Sequence, residues 1–216
     1  MRIDPAGYPF VGVAALVAVA LVLFGHRLWA IVPLVFVAFF LFFFRDPDRS
    51  AVLTPDDVVS PADGRVMVAG EPEPGVPPPG MWRQISIFLS PLDVHVNRIP
   101  VTGEVTKVEY QPGRFLPAYH HDAARDNERN EVWIDRGGQF VVTRQVVGVL
   151  ARRIVCRVGQ GARVSAGQRF GVMKFGSRVD LYLPPGTTLR VKPGDRVRSG
   201  ETVLAVLPPV ARKERQ

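Results

Sequence analysis

Val172-Met173-Lys174-Phe175-Gly176-Ser177-Arg178-Val179-Asp180 places a Gly-Ser pair between two short apolar runs with the composition of β-strands. Such a pair most simply predicts a tight turn between two strands. Glycine also adds no side chain beside its own carbonyl, so the hydroxyl of Ser177 can approach the carbonyl of Gly176 closely. The stretch therefore predicts a strand-turn-strand unit, with self-cleavage at the turn as a second interpretation.

Most of the chain after about Val58 consists of similar short segments, rich in β-branched residues and bounded by Gly or Pro. These segments are residues 65–69, 84–89, 94–99, 103–110, 131–135, 140–147, 152–158, 169–175, 178–183, 188–191 and 202–207. A spacing of about ten residues between such runs predicts a mostly antiparallel sandwich or a barrel-like sheet. Residues 71–80, which hold five prolines, predict a surface loop, and residues 115–128 are the one stretch after the apolar N-terminus expected to contain a helix.

An internal repeat strengthens the all-β prediction. Residues 161–167 and 194–200 share the pattern Gly-x-Arg-Val-x-x-Gly, and each precedes an apolar strand. The pattern resembles the hammerhead repeat of lipoyl and biotinyl carrier domains, which attach their cofactor to a lysine in an exposed hairpin. Lys174 lies near the Gly-Ser pair, so a carrier domain anchored to the membrane is an alternative interpretation.

The N-terminal 44 residues are strongly apolar. Residues 8–25 and 28–44 carry no formal charge and are separated by His26 and Arg27. About 17 residues of helix span about 26 Å, against a hydrocarbon core of about 30 Å. We expect residues 1–44 to form a membrane-anchoring helical hairpin; a single spanning or interfacial helix and a soluble helix pair are the alternatives.

Two details of this region bear on its geometry. Pro33 either kinks the second helix or marks its first turn. The positive charges of Arg2, Arg45 and Arg49 at the two flanks outnumber Arg27 in the connection, which favours a cytoplasmic location for the flanks and for the domain that follows.

Composition excludes several function classes. Lys and Arg number 27 against 20 Asp and Glu, a net charge of +7 that favours an anionic partner. No aromatic-interleaved basic motif is present, so we expect a membrane surface and no nucleic acid. Cys156 is the only cysteine, which excludes an internal disulfide framework and a cysteine zinc site. With four His and no His-x-x-x-His spacing, we expect no metal site.

Four sequence blocks occur together in a specific order: residues 60–64 (Ser-Pro-Ala-Asp-Gly), 88–98 (Phe-Leu-Ser-Pro-Leu-Asp-Val-His-Val-Asn-Arg), 127–130 (Asn-Glu-Arg-Asn) and 171–180. With these blocks the chain from about Val58 onward resembles the short-form phosphatidylserine decarboxylase proenzymes. The resemblance implies cleavage between Gly176 and Ser177 into a β chain (1–176) and an α chain (177–216), with Ser177 converted to a pyruvoyl group.

The resemblance also implies an activity. A carboxy-lyase of this family converts phosphatidylserine to phosphatidylethanolamine, and its pyruvoyl group forms a Schiff base with the serine amine of the lipid. The pyruvoyl group would be the only cofactor, without pyridoxal phosphate. The implied partners are membrane phosphatidylserine and the two chains of one proenzyme, with homo-oligomerisation left open, and the implied location is the inner cell membrane facing the cytoplasm.

Site residues follow from the family motifs. Self-cleavage needs a hydroxyl, a base, and a group that holds the base in the useful tautomer. The resemblance assigns the base to His95 and the orienting carboxylate to Asp63. Leu92 stands where the long forms have a second histidine, so the proton donor after decarboxylation stays open between His95 and the pair at residues 120–121.

The Asn-Glu-Arg block suggests how the lipid phosphate is bound. Arg129 or Arg98 can grip a phosphate through a bidentate fork. A structural ion pair of Glu128 with an arginine is the alternative for this block.

The resulting domain prediction has three parts. Residues 1–44 form the hairpin, residues 45–57 a polar linker broken by Asp46-Pro47, and residues 58–216 a β-rich catalytic domain. Because every residue assigned to the chemistry lies at Asp63 or later, we expect the catalytic domain to self-cleave without the hairpin.

Overall fold

The secondary structure consists of two apolar helices followed by many short strands. The computed structural model describes residues 2–120, 122–149, 153–174 and 177–210. The helices are α1 (Tyr8–Leu23), α2 (Ile31–Phe43) and the short α3 (Ala123–Asp126). The strands are β1 (Arg2–Ile3), β2 (Arg45–Asp46), β3 (Asp57–Val59), β4 (Gly64–Gly70), β5 (Arg83–Leu89), β6 (Val96–Arg98), β7 (Gly103–Gln111), β8 (Arg129–Asp135), β9 (Phe140–Val146), β10 (Ile154–Cys156), β11 (Arg163–Val164), β12 (Arg169–Met173), β13 (Ser177–Leu183), β14 (Thr188–Leu189), β15 (Arg196–Val197) and β16 (Val203–Val206).

An eight-stranded sheet forms the centre of the fold. Its order is β11-β7-β8-β9-β13-β5-β4-β15, and every pairing in it is antiparallel. Two three-stranded sheets, β10-β12-β6 and β14-β16-β3, are also antiparallel. The predicted mostly antiparallel β architecture is confirmed, and α3 lies in the stretch expected to contain a helix.

Strand β13 shows how the sheet is buried on both faces. Alternate side chains of a strand point to opposite faces. Val179 and Leu181 lie in the main hydrophobic core with side chains from β4, β5, β7 and β8. Arg178, Asp180 and Tyr182 point to the opposite face and are also buried. The prediction of short β-branched strands therefore holds, while half of this strand carries buried polar groups.

Those polar groups form a connected network. Arg178 donates to Asp180 Oδ1 (2.5 Å) and Ser86 Oγ (2.9 Å) and pairs with Glu73 of the proline-rich loop. Arg144 of β9 pairs with Glu131 of β8 in the same layer. Buried charges need such partners to offset their desolvation, so the proline-rich loop is tied to the sheet by an ion pair.

The two Gly-x-Arg-Val-x-x-Gly segments occupy equivalent positions at opposite edges of the large sheet. In each segment the opening glycine has positive φ and donates its N–H to a carbonyl of the neighbouring strand, at Val105 (2.7 Å) and at Val66 (2.8 Å). The Arg-Val pairs form the edge strands β11 and β15. The repeat is thus a structural repeat, while its hammerhead likeness stays a prediction.

The apolar N-terminus folds as two antiparallel helices. The Phe10 ring at the start of α1 lies 5.4 Å from Phe40 and 5.5 Å from Phe44 at the end of α2. Antiparallel pairing of β1 with β2 closes the same end of the hairpin. Phe43 and Phe44 pack with Val96 and Val172 of the body, so the base of the hairpin is part of the packed fold.

Among the helices in the described residues, the first alone is long and apolar enough to cross a membrane. The apolar helical segment of residues 5–23 has 19 residues and a mean hydropathy of 2.2, whereas Ile31–Phe43 has 13 residues. The second helix is shorter than its apolar segment because residues 27–30 form turns, such as Ala30 N–H to Arg27 O (3.2 Å). Pro33 lies in the first turn of α2, where its missing N–H costs no helical hydrogen bond.

Candidate active site

Ser177 is the first residue of β13, in the middle of the large sheet. It pairs with Leu89 of β5, and its side chain has no solvent exposure. Its Oγ is buried without a hydrogen-bond partner among the described residues. Buried hydroxyls are rarely left unpaired, so this one requires an explanation. Phe175 and Gly176 lie outside the described residues, and with them the predicted cleavage carbonyl.

His95 precedes β6, and its main chain is hydrogen-bonded to the end of β12, the strand that leads to Ser177. Its main-chain oxygen accepts a hydrogen bond from the N–H of Met173, the last residue of β12 (3.3 Å). The imidazole is 1% exposed, and Nδ1 lies 2.9 Å from the carbonyl oxygen of Asp93. A carbonyl can only accept, so Nδ1 carries the proton and Nε2 keeps its lone pair. Nε2 is buried without a partner in the described part of the chain.

The surroundings of His95 keep it neutral. Burial lowers the pKa of the His95 imidazole to about 4; the hydrogen bond to Asp93 and the charges of Asp93 and Asp63 oppose this shift, and Arg45 adds to it. The Phe43 ring covers the imidazole at a centroid distance of 4.0 Å and an interplanar angle of 31°. At neutral pH the ring is therefore an unprotonated base.

Asp63 is engaged by partners other than His95. Its Oδ1 accepts a hydrogen bond from the N–H of Ser199 (2.8 Å), and both of its oxygens pair with Arg49, with Nη2 to Oδ2 at 2.8 Å. None of its hydrogen bonds goes to the imidazole, whose orientation comes from the Asp93 carbonyl. Asp63 makes no hydrogen bond to the His95 imidazole because Arg49, from the linker, binds its carboxylate instead. Asp63 affects His95 through its charge, and its orienting role stays a prediction.

Arg98 and Arg129 have different environments. Arg98 is 4% exposed and donates to Asp46 (3.2 Å), to the Pro47 carbonyl (2.9 Å) and to the Gly167 carbonyl (3.0 Å). Arg129 is half-buried, and the one hydrogen bond of its side chain within the described residues goes to the carbonyl of Arg125. Most N–H groups of the Arg129 guanidinium are therefore available to bind a ligand. The guanidinium of Arg98 is hydrogen-bonded to Asp46 and Pro47 of the linker and to Gly167.

The register of the sheet relates Arg129 to the predicted cleavage site. Arg129 lies opposite Val146, and Val146 lies opposite Arg178. Two strand spacings of about 4.8 Å separate Arg129 from the residue that follows Ser177. Arg129 is therefore at the same end of the sheet as Ser177, on the face that carries Arg178.

Comparison with known proteins identifies the family. A profile of the phosphatidylserine decarboxylase family matches residues 36–205, more than half of the chain. The chain belongs to this family. It is 47% identical over 204 residues to the phosphatidylserine decarboxylase proenzyme of Symbiobacterium thermophilum, an alignment that covers 94% of each chain. It is 44% identical over 207 residues to that of Geotalea uraniireducens, covering 94% of this chain and 95% of the relative.

A third phosphatidylserine decarboxylase proenzyme, from Pelodictyon phaeoclathratiforme, is 45% identical over 186 residues, covering 82% of this chain and 86% of the relative. These matches confirm the resemblance seen in the four sequence blocks.

The carrier alternative is not favoured. Lys174 follows β12 directly, and its Nζ lies over the Phe10 ring at 4.8 Å instead of in open solvent.

Of the predicted alternative proton donors at residues 120–121, the structure describes only His120. His120 is exposed, with Nδ1 at 3.6 Å from a carboxylate oxygen of Asp122. His121 lies outside the described residues. Within residues 2–120, 122–149, 153–174 and 177–210, no three His, Cys, Asp or Glu side chains come together as a metal site would require.

Sequence reasoning missed several residues that surround His95 and Asp63 in this candidate site. Phe43 covers His95, Arg49 pairs with Asp63, and Arg45 donates to the carbonyl of Leu92 (2.6 Å). All three lie in the hairpin or the linker, which look like an anchor and a spacer in the sequence. Asp93 lies within the Ser-Pro-Leu-Asp-Val-His motif, but its contribution is a main-chain carbonyl, which no side-chain pattern reveals.

Proposed function

We propose that this chain is a proenzyme that cleaves itself between Gly176 and Ser177 and then decarboxylates phosphatidylserine to phosphatidylethanolamine. One observation carries the proposal: the hydroxyl of Ser177 and the Nε2 lone pair of His95 are both buried and both unpartnered among the described residues, in a chain of this family. A nucleophile and a neutral base without structural partners are what self-cleavage requires.

In the proposed cleavage, His95 Nε2 takes the proton of Ser177 as Oγ attacks the carbonyl carbon of Gly176. The peptide C–N bond breaks, the released amine of residue 177 takes a proton, and an ester links the two residues. Loss of the α-proton of residue 177 then expels the Gly176 carboxylate and leaves dehydroalanine. Water hydrolyses its tautomer, which releases ammonia and leaves a pyruvoyl group at the N-terminus of the α chain.

The residues present fit such a group, because position 177 is buried and its side-chain oxygen has no competing partner in the described chain. A pyruvoyl group supplies a carbonyl that condenses with the substrate amine and accepts the electron pair left by carbon dioxide, without pyridoxal phosphate. His95 lies against the strand leading to this position. We propose that it protonates the substrate carbon after carbon dioxide leaves.

The arrangement of strands keeps the two chains together. The α chain begins with β13, which is hydrogen-bonded to β5 on one side and β9 on the other. Both neighbours belong to the β chain, so cleavage at residue 176 leaves the sheet paired. Of the two arginines proposed to bind the lipid phosphate, Arg129 has more uncommitted N–H groups than Arg98.

The hairpin is proposed to anchor the enzyme in the inner cell membrane. Large apolar side chains such as Leu16 (70% exposed), Leu23 (79%) and Trp29 (69%) cover its surface. A surface of this kind is stable against lipid rather than water. The arginines at both flanks favour a cytoplasmic catalytic domain. Homo-oligomerisation stays an open prediction.

Intact mass spectrometry of the purified chain, together with release of carbon dioxide from phosphatidylserine vesicles, tests the proposal. Wild-type protein should give two chains split after residue 176, whereas Ser177→Ala should stay intact and inactive. Ser165→Ala, at an exposed serine, is the matched control and should cleave. A single chain with added mass at Lys174 would indicate a carrier, and an unmodified wild-type chain would contradict self-cleavage.

A further inference from the structure

A groove runs between the two helices of the hairpin. It has a volume of about 470 Å³ and is lined only by apolar side chains, among them Val13 and Val17 of α1 and Phe36 of α2. The groove extends over about eight residues of α1, or about 12 Å at the helical rise. A volume of this size lies in the range of ligand sites, and its lining suits hydrocarbon.

Aromatic rings connect the groove to the catalytic base. Phe10 and Phe40 line one end of the groove and contact each other. Phe10 also stacks on Phe44, Phe44 contacts Phe43 at 5.0 Å, and Phe43 covers His95. The end of the groove formed by Phe10 and Phe40 is therefore the end nearer to His95, and packed aromatic rings link the two.

A cation lies at that same end. Lys174 Nζ lies 4.8 Å from the centre of the Phe10 ring. Burial lowers the pKa of Lys174, Arg153 lowers it further, and Asp4 opposes both. Arg157 donates two hydrogen bonds to the carboxylate of Asp4, at 2.6 and 2.8 Å. Lys174 has no carboxylate partner among the described residues, so its half-buried charge is available to an anion.

We propose that the groove binds one acyl chain of the substrate while Lys174 binds the phosphate of the same lipid. The inference rests on the proposed function, since it concerns the substrate of that reaction. Lys174 and Ser177 are three positions apart in the sequence, so their Cα atoms are at most about 11 Å apart. A glycerophospholipid has an acyl chain, a phosphate and a reactive headgroup in this order. In the protein, the groove for the acyl chain, the Lys174 ammonium for the phosphate and position 177 for the headgroup follow the same order.

Photo-crosslinking tests the groove directly. The probe is phosphatidylserine with a diazirine in the middle of one acyl chain, presented to the full-length mature enzyme in phosphatidylcholine vesicles. The control probe is phosphatidylcholine with the same diazirine. We expect the serine probe to label Val13, Val17 and Phe36 in excess over the control probe, and both probes to label the outward-facing Val19 equally. Equal labelling of the groove by both probes would mean that it holds bulk lipid and would overturn the proposal.

Steady-state kinetics test both contacts. Val17→Phe fills the groove, and Val19→Phe adds the same ring to the exposed side of α1 (57% exposed at Val19). Displacing one methylene costs about 0.8 kcal/mol, or about fourfold. We therefore expect Val17→Phe to raise KM for phosphatidylserine at least fourfold with kcat within twofold, and Val19→Phe to change neither constant. An unchanged KM in Val17→Phe would contradict the groove.

For the phosphate contact, Lys174→Gln should raise KM, Lys174→Arg should restore it, and Lys192→Gln at an exposed lysine should have no effect. Formation of the α chain is measured first for every variant, so that a maturation defect is not read as a binding defect. Wild-type KM in a fully processed Lys174→Gln enzyme would remove Lys174 from the site. Failure of the wild-type enzyme to release carbon dioxide would instead refute the proposed function.

Discussion

Replacement of Phe43 by alanine should change the pH dependence of self-cleavage more than its maximal rate. The Phe43 ring is fully buried and lies over His95 at 4.0 Å. Its removal opens a path for water to the imidazole, while Ser177 and the hydrogen bond from His95 Nδ1 to Asp93 are untouched. Since burial is the largest cause of the low pKa of His95, water at this position should raise that pKa toward its ordinary value of about 6.5.

The size of the effect follows from the two pKa values. With the pKa of His95 at about 4, about 97% of the imidazole is neutral at pH 5.5; with a pKa of about 6.5, about 9% is neutral. A reaction that needs the neutral base should therefore lose about tenfold at pH 5.5 in Phe43→Ala relative to its own rate at pH 8. In the wild type the same change of pH should have little effect. At pH 8 both proteins have a neutral imidazole, so their rates should be similar.

Cell-free synthesis of the proenzyme, followed by a shift to buffers from pH 4.5 to 8.5, gives the rate of α-chain formation on a denaturing gel. Phe43→Leu keeps an apolar cover and should retain most of the wild-type profile. Leu41→Ala, at an exposed position of α2, controls for destabilisation of the helix. Equal pH midpoints for Phe43→Ala and the wild type would refute the idea that the hairpin keeps His95 neutral.

Three further outcomes are expected. Asp63→Asn should lower the free energy of unfolding by about 3 kcal/mol in urea titration and should slow cleavage. The substitution removes the nearer carboxylate partner of the buried Arg49, whose other described carboxylate partner, Glu201, lies 3.9 Å away. Unchanged stability would contradict this. Because the pKa of His95 is lower in the folded state, the unfolded chain takes up the proton first as pH falls. Stability should therefore be lost between about pH 6.5 and 4, by up to about 3 kcal/mol. His95→Gln should lack this loss, and a pH-independent wild type would contradict it. Deletion of residues 1–44 should reduce cleavage at pH 5.5 because it uncovers His95; a cleavage rate equal to that of the full chain would restore the hairpin to the role of a simple anchor.

The last expectation revises what the sequence alone suggests. In the sequence, every chemical residue lies at Asp63 or later, so the hairpin looks dispensable. In the fold, Phe43 covers the base and Asp46 binds Arg98 and Arg169, which ties the linker to the body. Contacts between residues 52 or 123 positions apart leave no periodic signal in the sequence. An apolar run is consistent with both a membrane anchor and a cover over the active site.

The regular strands were predictable because their hydrophobic alternation extends over several residues. Each predicted segment overlaps an observed strand, from Gly64–Gly70 to Val203–Val206. The strands Arg163–Val164 and Arg196–Val197 are too short for any periodicity, although the repeated glycine pattern marked their positions. The two-residue pairing of β1 with β2 had no signal of either kind.

The structural repeat explains why the role of Asp63 was difficult to predict. Asp63 accepts a hydrogen bond from the N–H of Ser199, and Thr102 accepts one from the N–H of Ala166 (3.1 Å) in the other copy of the repeat. Accepting this main-chain bond is thus a property of the turn that both copies share. The carboxylate and its pairing with Arg49 occur only in the copy that contains Asp63, so any chemical role proposed for Asp63 must depend on its charge and not on this shared hydrogen bond.

If the chain is cut between residues 176 and 177 as proposed, the central position of β13 changes the unfolding equilibrium. Before cleavage, unfolding and refolding are unimolecular, because both halves of the sheet belong to one polypeptide. After cleavage the 40 residues of the α chain are covalently separate, so refolding requires two molecules to meet and the melting temperature depends on protein concentration. The proposed conversion of Ser177 to a pyruvoyl group also removes the amine that would be needed to re-form the peptide bond. A mature enzyme that unfolds therefore disperses its active centre, and its working lifetime is set by the rate at which β13 leaves the sheet.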